Sequence, residues 1–426
     1  MQRKDFILNV SKGIGLSALL PLSPVLSFAG KTNLELENKA DDGIMRPKGY
    51  HLIWEDNFNG RKLDESEWFY RMDLKMSSAQ RKENVKVKHG KLVLAMKKEA
   101  FLGMEYTGAG IVTKRRWQHG YYEVKAKLTN AAGWHHAFWA QQGTGFLTYC
   151  YDRTMEIDVY EMEATNASNH NLWIYPDGWN SRQKKWSSVP NKNLGFDASD
   201  GYHVYGYEYT TEGTRFFVDG KLTHSIDASE DDHKHYALNL WLTVIATHSD
   251  AEPQLPAFDY IDYIRCYSKD PKAALPPKEE PDYSKGDIVY IDNFDAWGFN
   301  MGDYWKQSSE GPFYGSNYYK WKRADKYDEF RDWALFRPYI SSDGYYDIYL
   351  RWVSGPDRAD HVPLEIWYNG GTRSDTAQSI NQQQAGEQWV KIGNYYLKEG
   401  WDNLVKLLAT NTGYVIADAA KFVRTR

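Results

Sequence analysis

The sequence predicts an all-β protein built of two successive β-sandwiches, and three observations support this prediction. Short apolar and aromatic runs alternate with turn signals, as in 91–95, 120–128 and 214–218, the last of which precedes Asp219-Gly220. Long stretches with helical periodicity are scarce. A segment rich in proline and charge at 268–286 separates two β-rich parts of the 426-residue chain.

Residues 1–30 have the pattern of an export signal, with Arg3 and Lys4 before an apolar run of mostly small residues. A polar lead-in follows at 31–48, and no later stretch is long and apolar enough to span a membrane. The sequence therefore predicts a soluble, exported protein, either periplasmic or extracellular.

The predicted domains are a first sandwich at 49–267, a stiff and solvated linker at 268–286, and a second sandwich at 287–426. The net charge of −5 and the lack of a basic stripe argue against nucleic acid as a partner. The two cysteines, Cys150 and Cys266, exclude a disulfide framework, but one bridge or two buried thiols both stay open.

The most informative segment is Glu156-Ile157-Asp158-Val159-Tyr160-Glu161. Three carboxylates crowd one strand-length segment of an apolar and aromatic stretch, although like charges destabilise a strand. Glycoside hydrolysis uses a pair of such groups. The segment therefore indicates a catalytic site for cleaving glycosidic bonds, rather than an exposed acidic strand.

The alternation of this segment slips by one residue. Ile157 and Val159 share one face of a regular strand, whereas Met162 and Ala164 continue the apolar set in the other phase. One extra residue near Tyr160 restores a single apolar face and a single acidic face. The pattern predicts a β-bulge, a feature that is frequent beside active sites.

Several motifs in this part of the chain resemble glycoside hydrolase family 16. They are the Glu-x-Asp-x-x-Glu signature at 156–161, the opening strand at 52–60, the Trp-containing strand at 133–139, and the closing strand at 262–265. The resemblance covers roughly residues 49 to 267. It implies a concanavalin-like jelly roll and a retaining double displacement. Glu156 matches the nucleophile, Glu161 the general acid/base, and Asp158 lies between them.

The resemblance and the aromatic composition also suggest how sugars are bound. Aromatic residues make up 15% of the chain, and aromatic faces suit the apolar face of a pyranose. The predicted substrate-binding residues are Trp134, Trp139, His170, Trp173 and Trp117. Catalysis needs no cofactor in this scheme. The resemblance implies a structural calcium ion, with Asp262 as one ligand beside backbone oxygens near Asp56 and Gly60.

The second sandwich is similar to the golvesin C-terminal domain in Val289 to Ala296 and Gly413 to Ala419. This similarity implies a carbohydrate-binding type of sandwich. The aromatic residues that could form a sugar platform there are Trp297, Tyr314, Tyr318 and Trp321.

The sequence thus predicts a monomeric, endo-acting β-glycosidase whose partner is a polysaccharide. A β-1,3-glucan and a β-galactan both stay open as substrates. Two alternatives remain: a catalytically silent lectin on the same fold, and a transglycosylase that uses the same residues.

Overall fold

Strands make up nearly all of the regular structure. The structure is a computed structural model that describes residues 34–38, 42–146, 154–175, 185–228, 236–247, 254–302, 304–326, 328, 332–374 and 378–426. Within these ranges the helical element is a 3₁₀ turn at Lys82–Asn84. The all-β prediction is confirmed. The predicted export signal and Cys150 lie outside the described residues.

The strands of the first part of the chain are β1 (Leu36–Glu37), β2 (Arg46–Pro47), β3 (His51–Asp56), β4 (Trp68–Tyr70), β5 (Leu74–Lys75), β6 (Ser78–Gln80), β7 (Val85–Val87), β8 (Leu92–Phe101), β9 (Met104–Thr113), β10 (Gly120–Lys127), β11 (Trp134–Gln141), β12 (Thr154–Ala164), β13 (Ala167–Tyr175), β14 (Lys185–Asn193), β15 (His203–Thr210), β16 (Gly213–Val218), β17 (Lys221–Asp227), β18 (Asn239–Ala246) and β19 (Ala257–Ser268). The strands of the second part are β20 (Ile288–Asp292), β21 (Phe299–Met301), β22 (Lys306–Ser308), β23 (Tyr318–Trp321), β24 (Trp333–Phe336), β25 (Gly344–Arg351), β26 (Val362–Tyr368), β27 (Thr372–Arg373), β28 (Gln378–Ile380), β29 (Val390–Leu397), β30 (Leu404–Leu408), β31 (Val415–Ala417) and β32 (Ala419–Arg424).

Two antiparallel sheets form the jelly roll of the first part. The front sheet has the order β14-β13-β12-β11-β18-β9-β4. The back sheet runs β17-β16-β15-β10-β19, and β19 also pairs with β3 and β8. Long, mostly antiparallel pairings between strands distant in sequence give this fold its shape.

Alternation along the strands of the front sheet separates a core from an outer face. On β11, Trp134, Phe138 and Ala140 point into the core between the two sheets. Ala137 and Trp139 lie on the opposite side, which we call the front face. The acidic side chains of β12 belong to this front face.

The second part of the chain is another sandwich. A four-stranded sheet in the order β20-β32-β25-β29 faces a sheet in the order β21-β24-β30-β26-β27, with β28 also paired to β26. Residues such as Ile348, Phe422 and Val405 fill the space between them. The larger sheet packs its other face against the jelly roll, where Trp333, Leu335 and Leu404 contact Leu74 and Leu102.

The linker forms specific contacts with the jelly roll. Glu279 donates its backbone N–H to the carbonyl of Lys114 at 2.7 Å, and Lys278 forms an ion pair with Glu67 at 2.6 Å. Arg115 forms a further contact through a hydrogen bond to the carbonyl of Pro276. The proline-rich segment is therefore attached to the jelly roll at these points, while its residues stay partly or fully exposed to solvent.

An aromatic seam joins the two sandwiches. The ring of Trp297 meets the edge of Phe69 with centroids 4.9 Å apart, and Phe146 lies 4.9 Å from Trp401. Tyr283 of the linker packs on Trp297 and on Trp401. The buried Arg337 donates to the carbonyl of Met72 across the same seam. Burial of this much aromatic area ties the second sandwich firmly to the first.

The predicted sugar platform of the second sandwich is wrong for two of its four residues, Trp297 and Tyr318. Trp297 lies in the seam, and Tyr318 is fully buried in the sandwich core. Trp321 is half-buried, donates to Asp332 at 2.7 Å and stacks on Tyr304. Packing against neighbouring chain segments takes the rings of Trp297 and Tyr318 out of contact with solvent. Tyr314 lies near the surface and is considered below.

Within the described ranges, no helix has the length and apolar character needed to cross a membrane. Cys266 is a buried thiol in the core, and burial raises its pKa.

We expect Trp297→Ala to lower the free energy of unfolding by about 3–5 kcal/mol, because the cavity would lie between rings that cannot close it. Urea unfolding followed by fluorescence measures the change, with the exposed Tyr202→Ala as the control. A loss below about 1 kcal/mol would mean that the seam contributes little to stability.

Burial of Asp295 gives the second sandwich a pH-dependent stability. Burial raises the pKa of Asp295 to about 7, and the neighbouring Asp292 and Asp282 add to the rise. In the unfolded chain the group ionises near its ordinary value of about 3.9. The unfolded state therefore loses its proton first, and stability falls as the pH rises from about 4 to about 7.

We expect Asp295→Asn to be more stable than the parent at pH 8, on the order of 2 kcal/mol, and equal to it near pH 4. Asparagine retains the oxygen that accepts from the backbone N–H of Trp297 at 3.1 Å. Urea unfolding at both pH values measures the difference, with the exposed Asp360→Asn as the control. An equal effect at both pH values would contradict this account.

Candidate active site

A β-bulge lies in the acidic strand β12. Along β11, Phe138 pairs with Tyr160 and the next residue, Trp139, pairs with Asp158, so Val159 is the extra residue. Pairing with β13 shows the same shift, since Asp158 faces Asn171 and Glu161 faces Asn169. The predicted bulge is confirmed. It turns Glu156, Asp158 and Glu161 towards the front face and leaves Ile157, Val159 and Met162 in the core.

Glu156 is fully buried on the front face. Gln141 lies on β11 directly opposite Glu156. Its side-chain amide donates to Glu156 Oε2 at 2.7 Å. On the other side, Trp173 of β13 pairs with Glu156 in register. A hydrogen bond from an amide to one carboxylate oxygen fixes the direction in which the side chain points.

Asn171 connects the other two carboxylates. Its Nδ2 donates to Asp158 Oδ2 at 3.0 Å and to Glu161 Oε2 at 2.5 Å. His135 Nε2 lies 3.2 Å from Glu161 Oε1. Glu161 keeps some exposure, whereas Asp158 is buried. The more exposed carboxyl is thus the one that can reach a group arriving from solvent.

Tryptophans extend the front face beyond the carboxylates. Trp139 stacks on Trp241 with ring centroids 4.8 Å apart, and its indole N–H donates to Thr243 Oγ1 at 3.2 Å. Arg71, paired with Asp73, places its guanidinium 5.7 Å from both rings. Of the predicted substrate-binding residues, Trp139 and Trp173 belong to the face that carries the carboxylates.

Three predicted substrate-binding residues lie elsewhere. Trp134 is fully buried between the sheets, because it alternates with His135 on β11. Trp117 packs in the same core against Trp54. His170 alternates with Asn171 and stacks on Phe216 behind the sheet. These three assignments are corrected, since the residues lie on the core side of the front sheet.

His170 has a structural contact at the bulge. Its Nδ1 lies 2.6 Å from the carbonyl oxygen of Val159, the extra residue of β12, and donates to it. A bulge leaves backbone groups outside the ladder, and a buried carbonyl needs a donor. The histidine therefore supports the backbone that directs Glu161 forwards.

Asp262 does not fit the predicted calcium site. Its Oδ1 accepts from Lys91 Nζ at 2.5 Å and its Oδ2 lies 3.2 Å from Lys125 Nζ. Partial burial raises the pKa of Asp262, but the two ammonium groups outweigh this and lower it. No cluster of three or more His, Cys, Asp or Glu suited to a metal occurs among the described residues. The two lysines already pair with the carboxylate oxygens that a calcium ion would need as ligands.

The sequence reasoning missed Gln141 and Asn171. Both follow from register: Asn171 lies two residues before Trp173 on the same face, and Gln141 two residues after Trp139. Alternation could have indicated their side, but the partner strands were not readable from sequence.

The front face thus holds three carboxylates, two of which are bridged by an amide, and tryptophans lie beside them. Such a site can give and take protons at a sugar. The jelly roll with this site defines a glycoside hydrolase type of domain. Residues 72–265 match the family model of the glycosyl hydrolases family 16, and residues 289–424 match the golvesin C-terminal domain. The first sandwich is thus a family 16 domain and the second a golvesin C-terminal domain.

The chain is also similar to curated proteins and to solved structures. The chain is 27% identical over 250 residues to a β-glucanase of Rhodothermus marinus. This match covers 51% of this chain and 85% of the relative. It is 32% identical over 140 residues to a xanthan lyase of Bacillus sp. (strain GL1), covering 32% of this chain and only 14% of the lyase. Among solved structures, the laminarinase catalytic domain from Thermotoga maritima MSB8 has 24% identity and a TM-score of 0.42, covering 51% of this chain and 98% of that one.

We expect Gln141→Leu to be coupled to Glu156→Gln in a double-mutant cycle. The leucine removes the donor from a buried carboxylate, which costs about 1–3 kcal/mol in the parent but less once residue 156 is an uncharged amide. Urea unfolding of the four proteins measures a coupling of about 1 kcal/mol or more. Additive effects within about 0.3 kcal/mol would show that the bond contributes nothing specific.

Proposed function

We propose that this protein is an exported, retaining endo-β-glycosidase that cleaves a β-glucan. One observation carries the proposal above all others: the bulge of β12 brings Glu156, Asp158 and Glu161 to the front face of the sheet. The β-glucanase relative supports the glucan as substrate. The export pattern of residues 1–30 supports action on a polymer outside the cytoplasm.

In the first step, an Oε of Glu156 attacks the anomeric carbon while the bond to the leaving oxygen breaks. Glu161 gives its proton to that oxygen, so the shortened chain leaves as an alcohol. Gln141 holds the attacking carboxylate in one orientation. The products of this step are a glycosyl ester on Glu156 and an ionised Glu161.

In the second step, Glu161 takes a proton from water, and the oxygen of that water attacks the anomeric carbon. The ester bond to Glu156 breaks and the configuration of the sugar is retained. The hydrogen bond from Asn171 and the nearby His135 orient Glu161 in both steps. The buried Asp158 shares the amide of Asn171, so a charge there favours the protonated form of Glu161 before the first step.

Trp173 and Trp139 would flank the reacting sugar on the two sides of β12. Both rings are largely buried, with 4% of Trp139 and 8% of Trp173 exposed, so they would border a glycan that crosses the strands of the front sheet rather than offer it an open stacking face. A glycan that is bound on both sides of the cleaved bond is cut inside the chain and not at its end.

We expect Glu156→Gln and Glu161→Gln each to lower kcat by about 10²–10⁴-fold on the substrate that the wild type cleaves. Release of reducing sugar is measured on laminarin, mixed-linkage glucan, agarose, porphyran and carrageenan, and NMR of the first product reads the anomeric configuration. Glu163→Gln, on the same strand, is the control and should retain most activity.

Cleavage of agarose or porphyran alone would replace the glucan by a β-galactan as substrate. An inverted first product would contradict the double displacement. Silence of the wild type on every polymer, together with binding to one of them, would favour the lectin alternative.

A further inference from the structure

The four-stranded sheet of the golvesin domain has one face towards the sandwich core and one face towards solvent. On β25, Tyr346, Ile348 and Leu350 point inwards. Tyr345, Asp347, Tyr349 and Arg351 alternate with them on the outer side, which we call the outer face. The described part of the jelly roll packs against the opposite sheet and not against this face.

Three aromatic rings form a corner at one end of the outer face. Tyr290 and Tyr314 are nearly parallel, with an interplanar angle of 8° and centroids 6.4 Å apart. Trp389 is steeply inclined to both, at 61° and 66°, with centroids 5.8 and 5.3 Å away. Tyr290 is 39% exposed. A floor of two rings and a wall formed by a third suit a pyranose, which has an apolar face and a polar edge.

Polar side chains continue from the corner across the sheet. Register places Tyr290 beside Lys421, Lys421 beside Tyr349, and Tyr349 beside Lys391. The ammonium group of Lys421 lies 4.5 Å from the centroid of Tyr349 and 4.9 Å from that of Trp389. Donors and rings therefore alternate along one line, as a ligand with hydroxyl groups requires.

A second aromatic pair lies further along β25. Tyr345 and Tyr396 meet edge to face at 5.4 Å, and Tyr345 is 37% exposed. Tyr345 and Tyr349 are four residues apart on one strand, which is about 13 Å. Asp347 and Asn394 lie between them and are hydrogen-bonded to each other at 2.8 Å. The outer face thus offers stacking positions at both ends of a path that is longer than one sugar ring.

The charges of the outer face are balanced by partners on the same face. Lys391 pairs with Asp347 at 2.7 Å, and Arg351 with Asp418 at 3.0 Å. Lys421 lies over rings, as described above. A strip of uncompensated cations, which an anionic glycan would need, is not present among the described residues of this face. This balance favours a neutral ligand.

The loop that carries Tyr314 is held in place before any ligand arrives. Its backbone N–H donates to Asp418 Oδ1 at 3.0 Å, and Arg351, paired with the same carboxylate, donates to the carbonyl of Pro312 at 3.1 Å. At Gly315 a Cβ atom would lie 2.0 Å from Asp292 Oδ2, so only glycine permits this close approach. A ring fixed in this way binds with little loss of conformational entropy.

From this arrangement we propose that the outer face of the golvesin domain binds an extended neutral polysaccharide chain. Tyr290, Tyr314 and Trp389 stack on its sugar rings, and Tyr345 with Tyr396 supports a further unit. The site is separate from the front face of the jelly roll. It would keep the enzyme on a polymer surface while the front face of the jelly roll acts on another stretch of chain, which raises the effective concentration of substrate.

Affinity electrophoresis tests the proposal with the Glu156→Gln protein, which does not digest the gel. The probes are neutral polymers (laminarin, mixed-linkage glucan and dissolved agarose) and one anionic polymer (alginate). We expect retardation on at least one neutral polymer. Tyr290→Ala and Trp389→Ala should each weaken it by about 10-fold or more, equal to about 1.4 kcal/mol.

Two further variants separate ring stacking from other effects. Tyr290→Phe retains the ring and should retain binding. Tyr414→Ala removes a tyrosine of equal exposure, 38%, outside the four-stranded sheet and should change nothing. In the wild-type background, Tyr290→Ala should leave kcat on a short soluble oligosaccharide unchanged, because Tyr290 lies outside the catalytic site.

Four results would overturn the proposal. The first is equal retardation of Tyr290→Ala and its parent, and the second is retardation by alginate alone. The third is a loss of retardation in Tyr414→Ala as large as that in Tyr290→Ala. The fourth is a dimer in sedimentation velocity that disappears in Tyr290→Ala. The last result would identify the occupant as a second copy of this chain. The choice of glucan as first probe rests on the proposed function. The retardation, however, measures binding alone and does not depend on catalysis. An inactive enzyme and an empty outer face therefore give different results.

Discussion

The single extra residue in β12 is the constraint on which the site depends. A strand that alternates without interruption would send Glu156 and Glu161 to opposite faces of the sheet, one of them into an apolar core. Val159 restores the phase, and His170 provides a donor for its carbonyl from behind the sheet. The energetic cost of the irregular backbone is thus offset by a buried hydrogen bond, while Glu161 joins Glu156 and Asp158 on the front face.

Around these carboxylates, amides supply much of the visible hydrogen bonding. Gln141 donates to Glu156, and Asn171 donates to both Asp158 and Glu161. Amides add no charge, so they orient the carboxylates without neutralising them, whereas arginine or lysine would form an ion pair. Elsewhere the chain uses lysine instead: at Asp262 two ammonium groups lie where a calcium ion was predicted. Acidic residues therefore have different partners on the two sheets: amides on the front sheet and lysines at Asp262.

The two sandwiches are joined by burial rather than by the linker alone. The seam around Trp297 is continuous with the aromatic residues Phe69 and Phe146 of the jelly roll, and Phe146 follows the strand that carries Gln141. Residues 34–426 accordingly cluster as one compact unit. A fixed arrangement gives the outer face of the golvesin domain a constant position relative to the front face of the jelly roll, which suits a polymer held at two places.

The sequence alone determined the two all-β sandwiches, the bulge and the three acidic residues, because each depends on local alternation that a single strand displays. It could not determine which tryptophans reach the front face. Trp134 and Trp139 lie on one strand five residues apart, so alternation places them on opposite faces, but only the packing of the two sheets shows that Trp134 faces the core and Trp139 faces the carboxylates. Nor could it find Gln141 and Asn171, the seam at Trp297, or the lysines on Asp262. These depend on contacts between residues distant in sequence, and such contacts are decided by strand register and by which sheet covers which face.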